Sequence, residues 1–390
     1  MKVAVIGAGI AGVAAAFEVA RQGERAAVFH DVTGSSGLYS GAVDLEPWDH
    51  AASANGSVLE PELSEFSRAL GAWELGSALR RVATLEGNVR PARGADRAIL
   101  DLERCAGKRV AVVDLERDDW DAPLLARSYA ASAWAVRTET HFYAARVRAL
   151  QKGFERRISG YDFAVLHDAP ERIAQLLSAL RESEVAPDAW LFGPWLGIAR
   201  DVAAELSQAL GVPVGETTSA VGGCAGARFE LARDSLLSRV SEVARARLVG
   251  VLPSSEGYRL EFSAREPAQF GTVVLATGGV AAGGVALERS FERRGGTGFK
   301  LSFAAPVALE LDAEVLEGVS SLSSIDFVDR GLGALLKVGI AARADGSARN
   351  HPGLFVAGDA IAGRPRTALV AARSGILAAR AALDYVRRSG

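Results

Sequence analysis

The first thirty residues constrain this chain more than any other stretch. Val3-Ala4-Val5-Ile6 is a short apolar run of the kind that forms a strand buried on both faces. Gly7-Ala8-Gly9-Ile10-Ala11-Gly12 follows it without a gap. Val13 to Gln22 reads as an alanine-rich helix stopped by Gly23, and Arg25 to Phe29 as a second strand. The four pieces succeed one another at the spacing of a complete βαβ unit, and that context lifts a weak glycine pattern to a specific one. In such a unit Gly7 permits the tight turn, Gly9 lets a pyrophosphate approach the backbone, and Gly12 lets helix and strand pack closely. The helix N-terminus then offers free N–H groups and the positive end of its dipole to the phosphates. The plain alternative is a strand–helix turn with no ligand, and the completeness of the unit counts against it.

A dinucleotide unit of this kind ordinarily ends its second strand in an acid that binds ribose hydroxyls, about 20 residues past the glycines. Here the position falls on His30, followed by Asp31. Either Asp31 serves through a shift of register, or His30 bonds the ribose as a neutral imidazole, or the adenosine end is held loosely. A capping or surface role for His30 is an equal alternative. The next stretch, from Thr33 to Asp44, is small and hydroxylated. Its position beside the glycine turn makes Ser36, Ser40 and Gly41 candidates for contact with a phosphate or a flat ring, where composition alone would read a surface loop.

Composition removes several classes of function. In 390 residues, 49% hydrophobic and 23% charged, a sizeable core is expected and global disorder is not. A net charge of −3 gives no electrostatic case for nucleic acid. Cys105 and Cys224, the two cysteines, are too few for a disulfide framework, a four-cysteine zinc site or an iron–sulfur cluster, so no metal is expected and a reducing, cytoplasmic setting is. No apolar run approaches the roughly 20 residues of a membrane span, and the N-terminal one is broken by Glu18 and Arg21 and lacks a secretory cleavage site.

The middle of the chain is less legible. Helices are expected near Glu62–Leu85, over Asp121–Gln151, at Pro170–Arg181 and from Phe229 to Arg245, with a strand over Lys108–Val113 and short apolar runs at Phe163–Leu166 and Trp190–Phe192. Two later motifs matter more. Gly271 to Leu275 reads as a strand running into Ala276-Thr277-Gly278-Gly279, and Gly353 to Ala357 as one running into Gly358-Asp359, followed by a small-residue helix over Thr367–Arg387. The Asp359 carboxylate is a candidate partner for ribityl hydroxyls, and the helix start for the edge of a flavin that gains negative charge on reduction; an ordinary helix N-cap is the alternative. A nicotinamide-only enzyme would not need this C-terminal element, so FAD is expected over NAD.

Three motifs in this order are similar to those of FAD-dependent oxidoreductases of the glutathione-reductase-like fold. The fold class expected is therefore α/β: a Rossmann-like FAD/NAD(P)-binding domain made of residues 1–45, 212–290 and 335–390, with an inserted α+β cap or substrate domain of residues 46–211 and 291–334. A narrower resemblance lies in Ser36-Gly-Leu-Tyr-Ser-Gly-Ala-Val-Asp-Leu45, in Leu275-Ala-Thr-Gly-Gly-Val-Ala-Ala-Gly-Gly-Val-Ala-Leu-Glu-Arg289 and in Val338-Gly-Ile340 leading into Leu354 to Asp359. These stretches resemble the B subunit of anaerobic, quinone-linked glycerol-3-phosphate dehydrogenase, a family that also lacks the usual acid after the second strand. Glu46 to Leu100 matches nothing there, and Asp359 is closer to the general flavoprotein pattern.

That resemblance implies oxidation of sn-glycerol 3-phosphate to dihydroxyacetone phosphate by hydride transfer to flavin. It also implies FMN as an alternative cofactor, a flavoprotein A subunit and an iron–sulfur subunit as partners, and a place peripheral to the inner membrane through them. A stand-alone FAD-dependent oxidase or reductase and a non-catalytic assembly or relay subunit are the competing readings. For a phosphorylated substrate, Arg364 and Arg366 are the best-placed cations, ahead of Arg293, Arg294 and Lys300. The sequence names no catalytic base; His351, beside Pro352, reads as a turn residue.

Overall fold

The computed structural model of the chain describes residues 2–32, 34–46, 59–290, 300–304, 311–312 and 338–389. Strand β1 (Val3–Ile6), helix α1 (Ile10–Arg21) and strand β2 (Ala26–His30) form the expected βαβ unit. A two-residue strand β3 (Ala42–Val43) leads to α2 (Pro61–Leu70), β4 (Trp73–Ala83) and β5 (Val89–Asp96). A second α/β run follows: β6 (Arg109–Asp114), α3 (Ala122–Ala130), α4 (Ala133–Thr138), β7 (His141–Arg146), α5 (Gly160–His167), α6 (Pro170–Arg181), β8 (Ala189–Phe192), α7 (Val202–Leu210) and β9 (Val214–Glu216). The chain then returns through α8 (Cys224–Val240), β10 (Ser241–Arg245), three hairpin-linked strands β11 (Leu248–Ser254), β12 (Gly257–Phe262) and β13 (Arg265–Phe270), and β14 (Thr272–Leu275). Short strands β15 (Ala286–Ser290), β16 (Lys300–Ala304), β17 (Leu311–Asp312) and β18 (Gly339–Ile340) precede β19 (Leu354–Val356) and the helix α9 (Ala368–Ser389).

Five strands form one parallel sheet in the order β10-β2-β1-β14-β19. The alternation of side chains along β1 sets its two faces. Val3 and Val5 pack with Val28, Val274 and Phe355 under α1 and α9. Ala4 and Ile6 pack with Ala27, Phe29, Val273 and Leu275 against Val251, Leu260, Phe262 and Phe270 of the antiparallel β11–β13 sheet. Both faces are covered, which is why these strands read as unbroken apolar runs. Helices α1 and α9 touch closely because Gly375 carries no side chain: a Cβ there would lie 2.1 Å from the Ala11 carbonyl oxygen.

The segment between β2 and α8 carries two more sheets. One is antiparallel, in the order β3-β5-β4; the other is parallel, in the order β7-β6-β8-β9, with its own apolar core from Val110–Val113, Leu191, Phe192 and Trp195. One buried polar network joins these sheets to α8. The Arg228 guanidinium donates through Nε to Asp96 at the end of β5 (2.9 Å), through Nη2 to Glu216 at the end of β9 (2.7 Å) and through Nη1 to the Gly197 carbonyl (2.8 Å). Glu216 also accepts from the Leu196 N–H. Burial pushes the Glu216 carboxyl up to about 7 although Arg228 opposes it, and raises Asp96 in the same way.

Several sequence expectations change. The helix expected over Glu62–Leu85 stops at Leu70, where Gly71 takes a left-handed conformation (φ +77°), and a strand follows. Asp121–Gln151 is two short helices, the second capped by the Ser132 hydroxyl, and then β7, which pairs with β6. The Phe163–Leu166 run lies within α5, capped by Ser159. Helix α8 starts five residues earlier than Phe229 and ends at Val240, and Ser241–Arg245 is an edge strand of the main sheet. Arg293 and Arg294 lie outside the described residues, as does most of 291–334. No described helix is long and apolar enough to cross a membrane.

Candidate functional site

A cavity of about 1270 Å³ runs across the C-terminal ends of four parallel strands, the place where open α/β sheets bind ligands. Sheet order fixes its course. His30 and Asp31 stand at the end of β2, Gly7 at the end of β1, Thr277 and Gly278 after β14, and Gly358 and Asp359 after β19. The volume exceeds the roughly 300–1,000 Å³ of a drug-sized pocket.

The glycine turn is built from backbone contacts. Gly7 has φ +108°, and a Cβ on it would sit 2.2 Å from the Ala276 carbonyl oxygen. Gly12 is packed against the turn, its α-carbon so close that a Cβ would lie 1.9 Å from the Gly7 oxygen. Gly9 lines the cavity and caps α1 without a side-chain bond. The Ile10 N–H donates to the Ser36 hydroxyl at 2.9 Å, so Ser36 sits directly before the helix N-terminus. The N–H groups of Ala11 and Gly12, in the first turn, have no carbonyl within the helix to bond. A helix start with unpaired donors, open to a cavity, fits an anionic pyrophosphate.

At the β2 end, burial, with Arg233 and Arg245 nearby, lowers the pKa of His30, which keeps the imidazole neutral near pH 7. Its ring can then both donate and accept. Asp31 lines the same end, and its carbonyl accepts from Arg245 Nε at 3.3 Å. At the other end, burial raises the Asp359 carboxyl against the opposing charge of Arg366. The Gly358 N–H donates to the Ser374 hydroxyl at 2.7 Å, which ties this turn to α9. The two late turns touch: a Cβ on Gly279 would be 2.6 Å from the Asp359 carbonyl oxygen.

Of the residues expected at the site, Gly7, Gly9, His30, Asp31, Ser36, Ser40, Thr277, Gly278, Gly358, Asp359, Arg364 and Arg366 line this one cavity. Gly12 and Gly41 do not line it; Gly41 packs behind its wall, close to Ile99 and Ala225. Arg364 directs Nη2 to the main-chain carbonyls of Ala344 and Arg343, and Arg366 to that of Val338. The structure adds Tyr39, Asp44, Glu46, Arg90 and Arg247 to the lining. Arg90 arrives on β5, far in sequence from every motif, and no local pattern marks it. Among the described residues there is no cluster of His, Cys, Asp and Glu that could hold a metal ion.

The parallel sheet, the glycine turn on its central strand and the cavity over the strand ends define a Rossmann-like α/β protein with a dinucleotide-type site. No protein-family model matches the chain, and no curated protein matches it. Solved structures to which it is similar include glycine oxidase from Geobacillus kaustophilus, at 15% identity over 98% of this chain and 94% of that one, with a TM-score of 0.32. The GidA-related protein from Thermus thermophilus has 12% identity over 98% of both chains and a TM-score of 0.33. The atypical thioredoxin reductase TRi from Desulfovibrio vulgaris Hildenborough has 15% identity over 99% of this chain and 98% of that one, with a TM-score of 0.23.

Proposed function

We propose that this chain is a flavin-dependent oxidoreductase that holds FAD in the cavity and, within that class, oxidises sn-glycerol 3-phosphate to dihydroxyacetone phosphate. The observation that carries the reading is the span of the cavity from His30 to Asp359 across four strand ends. A nicotinamide dinucleotide held on the first βαβ unit makes no use of the Gly358-Asp359 turn. FMN would leave the end formed by His30, Asp31 and Arg247 without a ligand.

The residues divide the work along that span. Gly9 and the first turn of α1 hold the pyrophosphate, with Ser36 donating its hydroxyl. Neutral His30 bonds the ribose in place of the usual acid. Asp359 accepts from ribityl hydroxyls, and the start of α9, where Thr367, Ala368 and Ala371 line the cavity, favours negative charge beside it. Bound there, FAD supplies the hydride acceptor. The narrower substrate rests on the likeness of Ser36–Leu45 and Leu275–Arg289 to the quinone-linked enzyme. On that reading, electrons reach quinone through partner subunits, because this chain's two cysteines cannot ligate a cluster.

His30→Ala is expected to weaken FAD binding about tenfold, the worth of one or two neutral hydrogen bonds, as measured by quenching of flavin fluorescence on titration. The substrate is tested by adding sn-glycerol 3-phosphate to the FAD-loaded protein without oxygen. Bleaching of the flavin band, with dihydroxyacetone phosphate formed, is the expected result. An unchanged band with this substrate, and bleaching by an amine or hydroxy acid, would move the chain to another substrate class.

A further inference from the structure

Besides the arginines after the Gly358-Asp359 turn, one more guanidinium lines that end of the cavity, and it is held differently. Arg90 makes two described bonds, to Asp44 Oδ2 at 3.0 Å and to the Pro91 carbonyl at 2.9 Å, and both leave from Nη1. Its Nε and Nη2 make no hydrogen bond among the described residues, while its side chain is only 17% exposed and lines the cavity. Nε and Nη2 form the fork that meets a carboxylate or phosphate with two parallel bonds. That edge is therefore free to meet a ligand head group in the cavity.

The placement is fixed from both sides. Asp44 Oδ1 accepts from the Arg93 N–H at 3.4 Å, and the Asp44 carbonyl accepts from the Leu369 N–H at 3.0 Å. The Leu45 carbonyl accepts from the Thr367 hydroxyl at 3.1 Å. Arg90 is therefore tied through Asp44 to the first turn of α9, at the same end as Gly358 and Asp359. The carboxylate Glu46 lines that end as well, and Arg90 presents its Nε–Nη2 fork there because both of its described bonds leave from Nη1.

We infer that Arg90 is the anion anchor of this site: its Nε–Nη2 edge binds the carboxylate or phosphate monoester head of a small substrate, with Asp44 as its positioning residue. The inference rests on the flavin reading only in taking the ligand for a substrate.

Calorimetric titration tests it on the FAD-free and the FAD-loaded protein, with sn-glycerol 3-phosphate, inorganic phosphate, glycerate and glycerol as probes. The wild-type protein is expected to bind an anionic probe and not glycerol, and the preference between phosphate and carboxylate names the head group. Arg90→Gln is expected to lose at least about tenfold in affinity for that probe while its affinity for FAD stays within about twofold. Arg90→Lys keeps the charge beside Asp44 but not the fork, and is expected to lose most of the same affinity; it decides the matter if the glutamine variant does not fold. Wild-type affinity in Arg90→Lys together with Arg90→Gln, or no anion bound by the wild-type protein, would overturn the assignment. If FAD does not bind at all, the flavin reading fails, and the titrations on FAD-free protein still decide the role of Arg90.

Discussion

Gly12→Ala is expected to yield a protein that retains no FAD and unfolds with a free energy lower by about 3 kcal/mol, the upper end for an overpacked core. The added Cβ would lie 1.9 Å from the Gly7 oxygen, 2.9 Å from its carbonyl carbon and 3.3 Å from the Ala276 Cβ. Two of those neighbours are backbone atoms of the turn that lines the cavity, so no rotamer relieves the clash. Helix α1 must move off β1, and α9 must follow it because Gly375 seats α9 against Ala11. Gly9→Ala separates the two effects. Its Cβ would meet only the Ser36 side chain, at 2.9 Å from the hydroxyl, which can rotate away. That variant is expected to keep nearly full stability and still bind FAD poorly. Urea unfolding and the flavin-to-protein ratio after reconstitution measure both.

Arg228→Met carries the second large effect, a loss of about 3–5 kcal/mol near pH 7.5. The change leaves Asp96 and Glu216, which are 1% and 0% exposed, facing each other's charge without the guanidinium. The sign with pH follows from Glu216. Its carboxyl is pushed from an ordinary 4.5 up to about 7, so the folded state holds a proton that the unfolded state releases. Its contribution to stability is complete below pH 4.5 and is lost as pH rises to about 7. Removing Arg228 raises both carboxyls further, so the variant's deficit grows from pH 5 to pH 8. Buried His167 acts in the other direction. Burial takes it from 6.5 down to about 4, so its contribution is complete above pH 6.5 and is lost as pH falls toward 4. Denaturant unfolding of wild type and variant at pH 5 and pH 8 reads the difference free of His167, which both share. A deficit that shrinks at pH 8 would show that the network is not held as described.

The motifs that can be read in the sequence are those whose parts are neighbours along the chain. Gly7, Gly9 and Gly12 sit on one turn, and Gly358 and Asp359 on another, each announced by a fully buried strand before it. What escapes is what depends on distant pairing. Ser241–Arg245 continues α8 without a breaker, and its residues Glu242, Val243 and Arg245 are exposed, as an edge strand allows, so nothing local distinguishes it from a last helical turn. Its partner, β2, is more than 200 residues away. Strand β4 carries Arg80 and Arg81; Arg80 meets Glu74 on its own strand, across the irregularity after Leu75, and Arg81 meets Glu103, which lies beyond β5. Arg90 reaches the cavity because β5 pairs with Ala42–Val43, a contact that no periodicity encodes. Nearness to Asp359 along the chain points Arg364 and Arg366 to the site, yet both direct Nη2 to main-chain carbonyls.

On the proposed function, a flavin dinucleotide fills the cavity between His30 and Asp359. The most direct measurement is titration of the purified chain with FAD, followed by denaturation and identification of the released cofactor. The expected result is one FAD per chain, bound more tightly than FMN or NAD. A protein that stays colourless and takes up no FAD under these conditions would contradict it.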